Sequence, residues 1–100
     1  MTTQVFLNEL EQTFKKCLEI AKKKNGDYAN QNDPFKNFNT SLQVGVSPDR
    51  AILVRISDKL SRISNLLDRP AIVEDEKLED TIDDAINYFA ILKAYLKSKI

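Results

Sequence analysis

The stretch that decides this chain is Glu74 to Tyr88, EDEKLEDTIDDAINY, which runs directly into Phe89 to Leu96. It holds seven carboxylates (Glu74, Asp75, Glu76, Glu79, Asp80, Asp83 and Asp84) against one Lys. At about 100° per residue, Leu78, Ile82, Ala85, Ile86, Phe89, Leu92 and Leu96 share one helical face. Acids in a first helical turn suit the positive end of the macrodipole, so Glu74 to Glu76 are ordinary there. Asp80 and Asp84 lie deeper and one turn apart, where like charges repel by a few tenths of a kcal/mol. A bound cation reverses that sign. Glu76, Asp80 and Asp84 fall four apart on one side of the helix, a spacing suited to Mg²⁺ as well as to a plain solvated face.

Outward from this helix, the preceding one is equally legible. Ser47-Pro48-Asp49 predicts a helix start, with a hydroxyl cap, Pro in the first helical position and an acid next. The helix runs to about Asp68 and stops before Pro70. Ile52, Ile56, Leu60, Ile63 and Leu67 lie within roughly 80° of arc. Asp58, Lys59 and Arg62 place mixed charge on the adjoining shoulder, with Arg55 beside them. Lys59 and Arg62 suit phosphate, Arg62 as a bidentate fork, or a salt-bridge network across a bundle.

A first helix is expected from a cap at Thr2 or Thr3 to about Asn25, with Gly26 ending it. Leu7, Leu10, Phe14, Leu18 and Ala21 form its apolar stripe, and Lys22 to Lys24 complement its C-terminal end. Between helices, residues 26–47 are polar but carry Tyr28, Phe35 and Phe38, which argues for an ordered loop. Asp33-Pro34 favours a short turn or helix start, Phe35 and Phe38 are placed to pin the loop to the core, and Thr40 to Val44 offer one more turn before Gly45. Lys24, Asp27, Tyr28 and Asn37 make a cluster able to stack on a base and hydrogen-bond its edge, or simply to pack and cap the loop. Ala71 to Val73 read as extended.

One hundred residues make one domain, here residues 1–100, and 42% hydrophobic with 30% charged residues describes a soluble protein. Fifteen basic and fifteen acidic residues cancel, which gives no reason to expect nucleic acid or an anionic membrane as partner. The chain has no His, which excludes Ser-His-Asp, Cys-His and zinc-His chemistry. Cys17 is alone, so no disulfide forms within the chain and a cytoplasmic setting is expected. No apolar run approaches a membrane span, and the first residues lack a signal-peptide h-region. The expected fold is all-α: an antiparallel bundle of three long helices with a long ordered loop that has room for one short extra helix. Val54, Ile91, Tyr95 and Ile100 lie off the main stripes and suggest completion by oligomerisation.

Lys24-x-x-Asp27-Tyr28-Ala29, Pro34-Phe35-x-Asn37-Phe38 and Gly45-Val46-Ser47, followed by Val54-Arg55-Ile56-x-Asp58-Lys59-Leu60-Ser61-Arg62 and Glu79-Asp80-Thr81-x-x-Asp84-x-x-Asn87-Tyr88, resemble a known group. It is the nucleotide-modification-associated domain group of small bacteriophage proteins, itself similar to the MazG-like all-α nucleoside triphosphate pyrophosphohydrolases. The resemblance covers roughly residues 14 to 96. It implies a helical dimer or higher homo-oligomer in the host cytoplasm, a nucleotide or nucleotide derivative as ligand, and Mg²⁺ held by acids from two helices. Asp84, with Tyr88 a turn later, fits the final Asp of the second acidic motif. Thr81 stands where the partner acid is expected, with Asp80 nearest. On the preceding helix only Asp58 keeps the negative sign, and Lys59 and Arg62 replace carboxylates.

Together these readings place a nucleotide between the second and third long helices. Lys59 and Arg62 meet phosphate, Asp80 and Asp84 meet Mg²⁺ or ribose hydroxyls, and Tyr28 or Asn37 meets the base, with Lys24, Asp27, Asn87 and Tyr88 around them. In a catalytic version Asp58, Asp80 and Asp84 serve the attack of metal-bound water on phosphorus. In a non-catalytic version the protein only sequesters its ligand. The alternative is an interaction module without a nucleotide site. The decisive question is whether Asp84 faces a shared cavity or pairs directly with Lys59 or Arg62 in a closed seam with no room for a phosphate.

Overall fold

The computed structural model describes residues 1–28, 33–69 and 75–100, with backbone alone for 26–28 and 75–77. The expected extended run Ala71 to Val73 lies outside the described residues. The described chain is all-helical: α1 (Thr3–Tyr28), a short α2 (Lys36–Asn39), a 3₁₀ turn (Thr40–Val44), α3 (Pro48–Asp68) and α4 (Asp75–Ser98). No strand is present among the described residues.

Local chemistry sets the ends. The Thr2 hydroxyl accepts the Val5 amide at 3.2 Å and caps α1. The helix continues through Gly26 to Tyr28, past the expected stop, so Lys22 to Lys24 are not in its last turn. Asp33 builds the turn before α2, its carboxylate accepting the Phe35 amide at 3.0 Å and the Asn39 side chain at 3.2 Å. Gly45 ends the 3₁₀ turn at φ +75°, donating to the Leu42 carbonyl at 3.1 Å while Val46 donates to Ser41 at 3.1 Å. At α3, Pro48 takes the first helical position as expected, but the Ser47 hydroxyl donates to Asp49 instead of capping. The Asp49 carboxylate accepts the Arg50 amide at 2.8 Å. These two hydrogen bonds hold its carboxyl below the usual carboxylate range.

Helices α3 and α4 run antiparallel, since Ile52 packs near Tyr95 while Lys59 meets Asp84 farther along. Ile52 (0% exposed), Ile56 and Tyr95 form the centre of the core, with Phe35, Phe38, Tyr88, Ile91 and Leu92 packed around them. Phe35 stands edge-on to Tyr95 at 5.4 Å, and Phe38 edge-on to Tyr88 at 6.3 Å. The two phenylalanines thus pin the α2 segment across the α3–α4 seam, as their spacing predicts.

The buried faces differ from the predicted stripes. On α4, Thr81, Ala85 and Tyr95 are buried and Tyr88 and Leu92 half-buried, whereas Ile82, Phe89 and Leu96, seven residues apart, are exposed. Tyr95 and Ile91 therefore serve the core, not an outer interface. Val54 and Ile100 are exposed as expected. The reason is the aromatic pair: Phe35 and Phe38 draw Tyr95 and Tyr88 inward and rotate the helix. On α1, Cys17 is buried and Thr13, Ile20 and Ala21 half-buried, while Leu7, Leu10, Phe14 and Leu18 face outward. α1 leans on α4 through its polar shoulder. The radius of gyration is accordingly 15.5 Å, larger than the roughly 13 Å of a compact chain this long.

Candidate ligand site at the α3–α4 seam

The acidic ridge of α4 is divided among lysines from both neighbouring helices. Asp83 is the buried carboxylate, 6% exposed, and lies 3.2 Å from the Lys16 ammonium of α1. Lys16 also approaches Asp80, at 3.9 Å. The hydrogen bond and charge of Asp83 push the Lys16 pKa up. The Cys17 thiol lies 3.7 Å from the Asp83 carbonyl and 3.8 Å from its carboxylate, and burial, then the Asp83 charge, pushes it up as well. Asn87 donates to the Cys17 carbonyl at 3.0 Å, so this predicted ligand residue joins α1 to α4.

Asp84, one turn beyond Asp80, faces the other way. One oxygen lies 3.1 Å from Lys24 of α1 and the other 3.3 Å from Lys59 of α3. The predicted Asp80–Asp84 pair is thus split between different cations, and Asp84 pairs directly with Lys59, so Lys59, expected to meet phosphate, is already neutralised by the acid opposite it, with Lys24 on the same carboxylate. Asp58 and Arg62 are exposed. Among the described residues no three Asp, Glu or Cys side chains gather as a metal site. The side chains of Glu76, Asp27 and Tyr28 lie outside the described residues.

Beside the Asp84 junction, an open cavity of about 520 Å³ lies where the α2 segment crosses α3 and α4. Its walls are Asn37, Phe38, Thr40, Ser41, Val44, Ala51, Arg55 and Tyr88. Thr40 and Ser41 spend their hydroxyl protons on the local backbone: Thr40 donates to Asn37, and Ser41 lies 2.7 Å from both the Phe38 and Val46 carbonyls. The Asn37 amide, the Arg55 guanidinium and the Tyr88 hydroxyl have no hydrogen-bond or ion-pair partner among the described residues. A fixed cation, an amide and a phenol around an aromatic wall can hold an anionic ligand with a flat apolar part.

Of the sequence-predicted residues, Asn37 and Tyr88 meet in this cavity, and Lys24, Lys59 and Asp84 meet at the junction beside it. Arg55, which the helical spacing places on the shoulder of α3, is a wall residue of the cavity. Its spacing in Arg55-x-x-x-Lys59-x-x-Arg62 marks a basic ridge, but only the crossing of the α2 segment makes Arg55 part of a cavity. Asp83 is hidden among like neighbours in the sequence, because no local pattern separates it, buried, from the exposed Glu79 and Asp80 or the half-buried Asp84. No family model matches the chain, and neither a curated protein nor a solved structure matches it.

Proposed function

We propose that this protein binds a nucleotide or nucleotide derivative in the cavity at the α3–α4 seam, as a phage-type protein acting on nucleotide pools or nucleotide signals in the host cytoplasm. Arg55 meets phosphate, and Asn37, with the Phe38–Tyr88 wall, meets the base or sugar. The observation that carries this reading is that Arg55, Asn37 and Tyr88, whose side-chain polar groups have no partner among the described residues, line one open cavity. The motif resemblance to the nucleotide-modification-associated domain group points the same way. Sequestration is favoured over Mg²⁺-dependent pyrophosphohydrolysis, because Asp80 and Asp84 already neutralise lysines and so offer weakened metal ligands.

A thermal-shift panel of mono-, di-, tri- and cyclic nucleotides tests it. A ligand at a hundred times its Kd adds about 2.7 kcal/mol of stability. Binding with the ligand recovered intact, and lost in Arg55→Ala, is expected. Pyrophosphate release that needs Mg²⁺ and is lost in Asp84→Ala means the hydrolase instead.

A second reading, an interaction module, is favoured by the outward stripe Leu7, Leu10, Phe14 and Leu18, which are 38% to 59% exposed. A homo-oligomer, dimer or higher, covering this stripe is compatible with both readings. No thermal shift with any nucleotide would leave the interaction module standing.

A further inference from the structure

Two ammonium groups share one carboxylate at Asp84: Lys24 on one oxygen and Lys59 on the other. Among the described residues the junction therefore sets two positive charges against one negative. It is also reachable, since the Asp84 and Lys59 side chains are each 24% exposed and Lys24 more so. Its position relative to the cavity follows from the antiparallel packing. Lys59 lies one turn beyond Arg55 on α3, and Asp84 one turn before Tyr88 on α4. Both steps go the same way along the seam, so the junction adjoins the Arg55–Tyr88 wall at a distance of about 6 Å along the helices. A carboxylate spanning two cations presents its oxygens as two oxygens of a phosphate would, with less charge.

We infer that Asp84 is an internal counter-anion which keeps Lys24 and Lys59 in place for a second phosphate of the ligand, and that ligands with at least two linked phosphates bind by displacing it. This rests on the nucleotide reading of the cavity. Arg55 takes the phosphate nearest the nucleoside, and the next phosphate takes over the two lysines. A phosphate, able to carry more than one negative charge, outcompetes a carboxylate for two ammonium groups when both are partly screened by solvent. The released Asp84 turns to water. Asp84 thus sets the phosphate number that the site selects, and it weakens binding instead of supporting it.

Isothermal titration of the full chain in EDTA, with nucleoside mono-, di- and triphosphates of each common base, decides this. The diphosphate is expected to bind about tenfold more tightly than the monophosphate. Asp84→Asn, which keeps the side-chain shape, is expected to tighten the diphosphate by about fivefold and leave the monophosphate within about twofold. Lys59→Met is expected to close the gap between the two ligands, and circular dichroism melts confirm that each variant is folded. Equal affinity for mono- and diphosphates, or weaker diphosphate binding in Asp84→Asn, overturns the inference while leaving the cavity reading intact. Should Asp84→Asn fail to fold, a gap that persists in Lys59→Met overturns it. Binding that is indifferent to Arg55→Ala sinks the cavity reading itself, and the inference with it.

Discussion

The Lys16 ammonium of α1 lies 3.2 Å from the Asp83 carboxylate of α4, and Asp83 is buried where Glu79, Asp80 and Asp84 are not. Cys17 and Asn87 close around the same contact. With the apolar stripe of α1 turned outward, this polar cluster, beside the half-buried Thr13, Ile20 and Ala21, joins α1 to α4.

Attachment of α1 should accordingly fail at alkaline pH. The Lys16 and Cys17 pKa values are both raised in the folded state. A raised folded pKa gives stability that is complete below the unfolded value and is lost as pH rises through the folded one. Unfolded Cys titrates near about 8.5 and Lys near about 10.4, so thermal stability should hold to about pH 8.5 and decline above it. Melts between pH 7 and 11.5 check this. Constant stability across that range contradicts the role given to the cluster.

Asp83→Ala removes the acceptor that faces both Lys16 and Cys17. A loss of about 1–2 kcal/mol is expected, as for a buried hydrogen-bonding group with a solvent-exposed partner. Amide exchange should quicken first in α1, while α3 and the second half of α4 stay protected. Uniform loss of protection across all helices would mean that α1 is not a separately attached element.

The core and the predicted stripe make different demands on α3. Ile52→Ala should cost about 3–4 kcal/mol, since the side chain is fully enclosed. Leu60→Ala, on the same sequence stripe but 52% exposed, should cost less than about 1 kcal/mol. Urea unfolding of both variants separates the two, and similar costs would place Leu60 in the core.

Gly45 is held at φ +75° with nothing within contact distance of an added Cβ. Gly45→Ala should therefore destabilise by about 1–2 kcal/mol through backbone conformation alone, with no steric clash. Equilibrium unfolding measures it, and an unchanged midpoint would show that the turn relaxes freely.

Phe14 lies in the middle of the exposed α1 stripe. Phe14→Glu should alter the stability of a single chain by less than about 0.5 kcal/mol. Sedimentation should show an assembly of two or more chains for the native sequence and a smaller species for the variant. A monomer in both cases leaves the stripe open to another protein.

The sequence alone determined the helices and most of their ends. Thr2, Pro48 and Gly45 act through local hydrogen bonds or through φ, and the periodic apolar residues fix the helical class without reference to the rest of the chain. It also determined which side chains carry charge and that Phe35 and Phe38 fasten the connecting segment. Tertiary structure decided the rest, because a helix has a full circumference and its neighbours choose which arc is covered. Phe35 and Phe38 chose the tyrosines of α4 over Ile82 and Phe89, and α1 chose Asp83 over its own leucines. The same choice gave Asp84 two lysines and gave Arg55 a cavity. Which acid is neutralised and which cation is left free depends on what lies opposite it, and that is a property of packing, not of spacing along one helix.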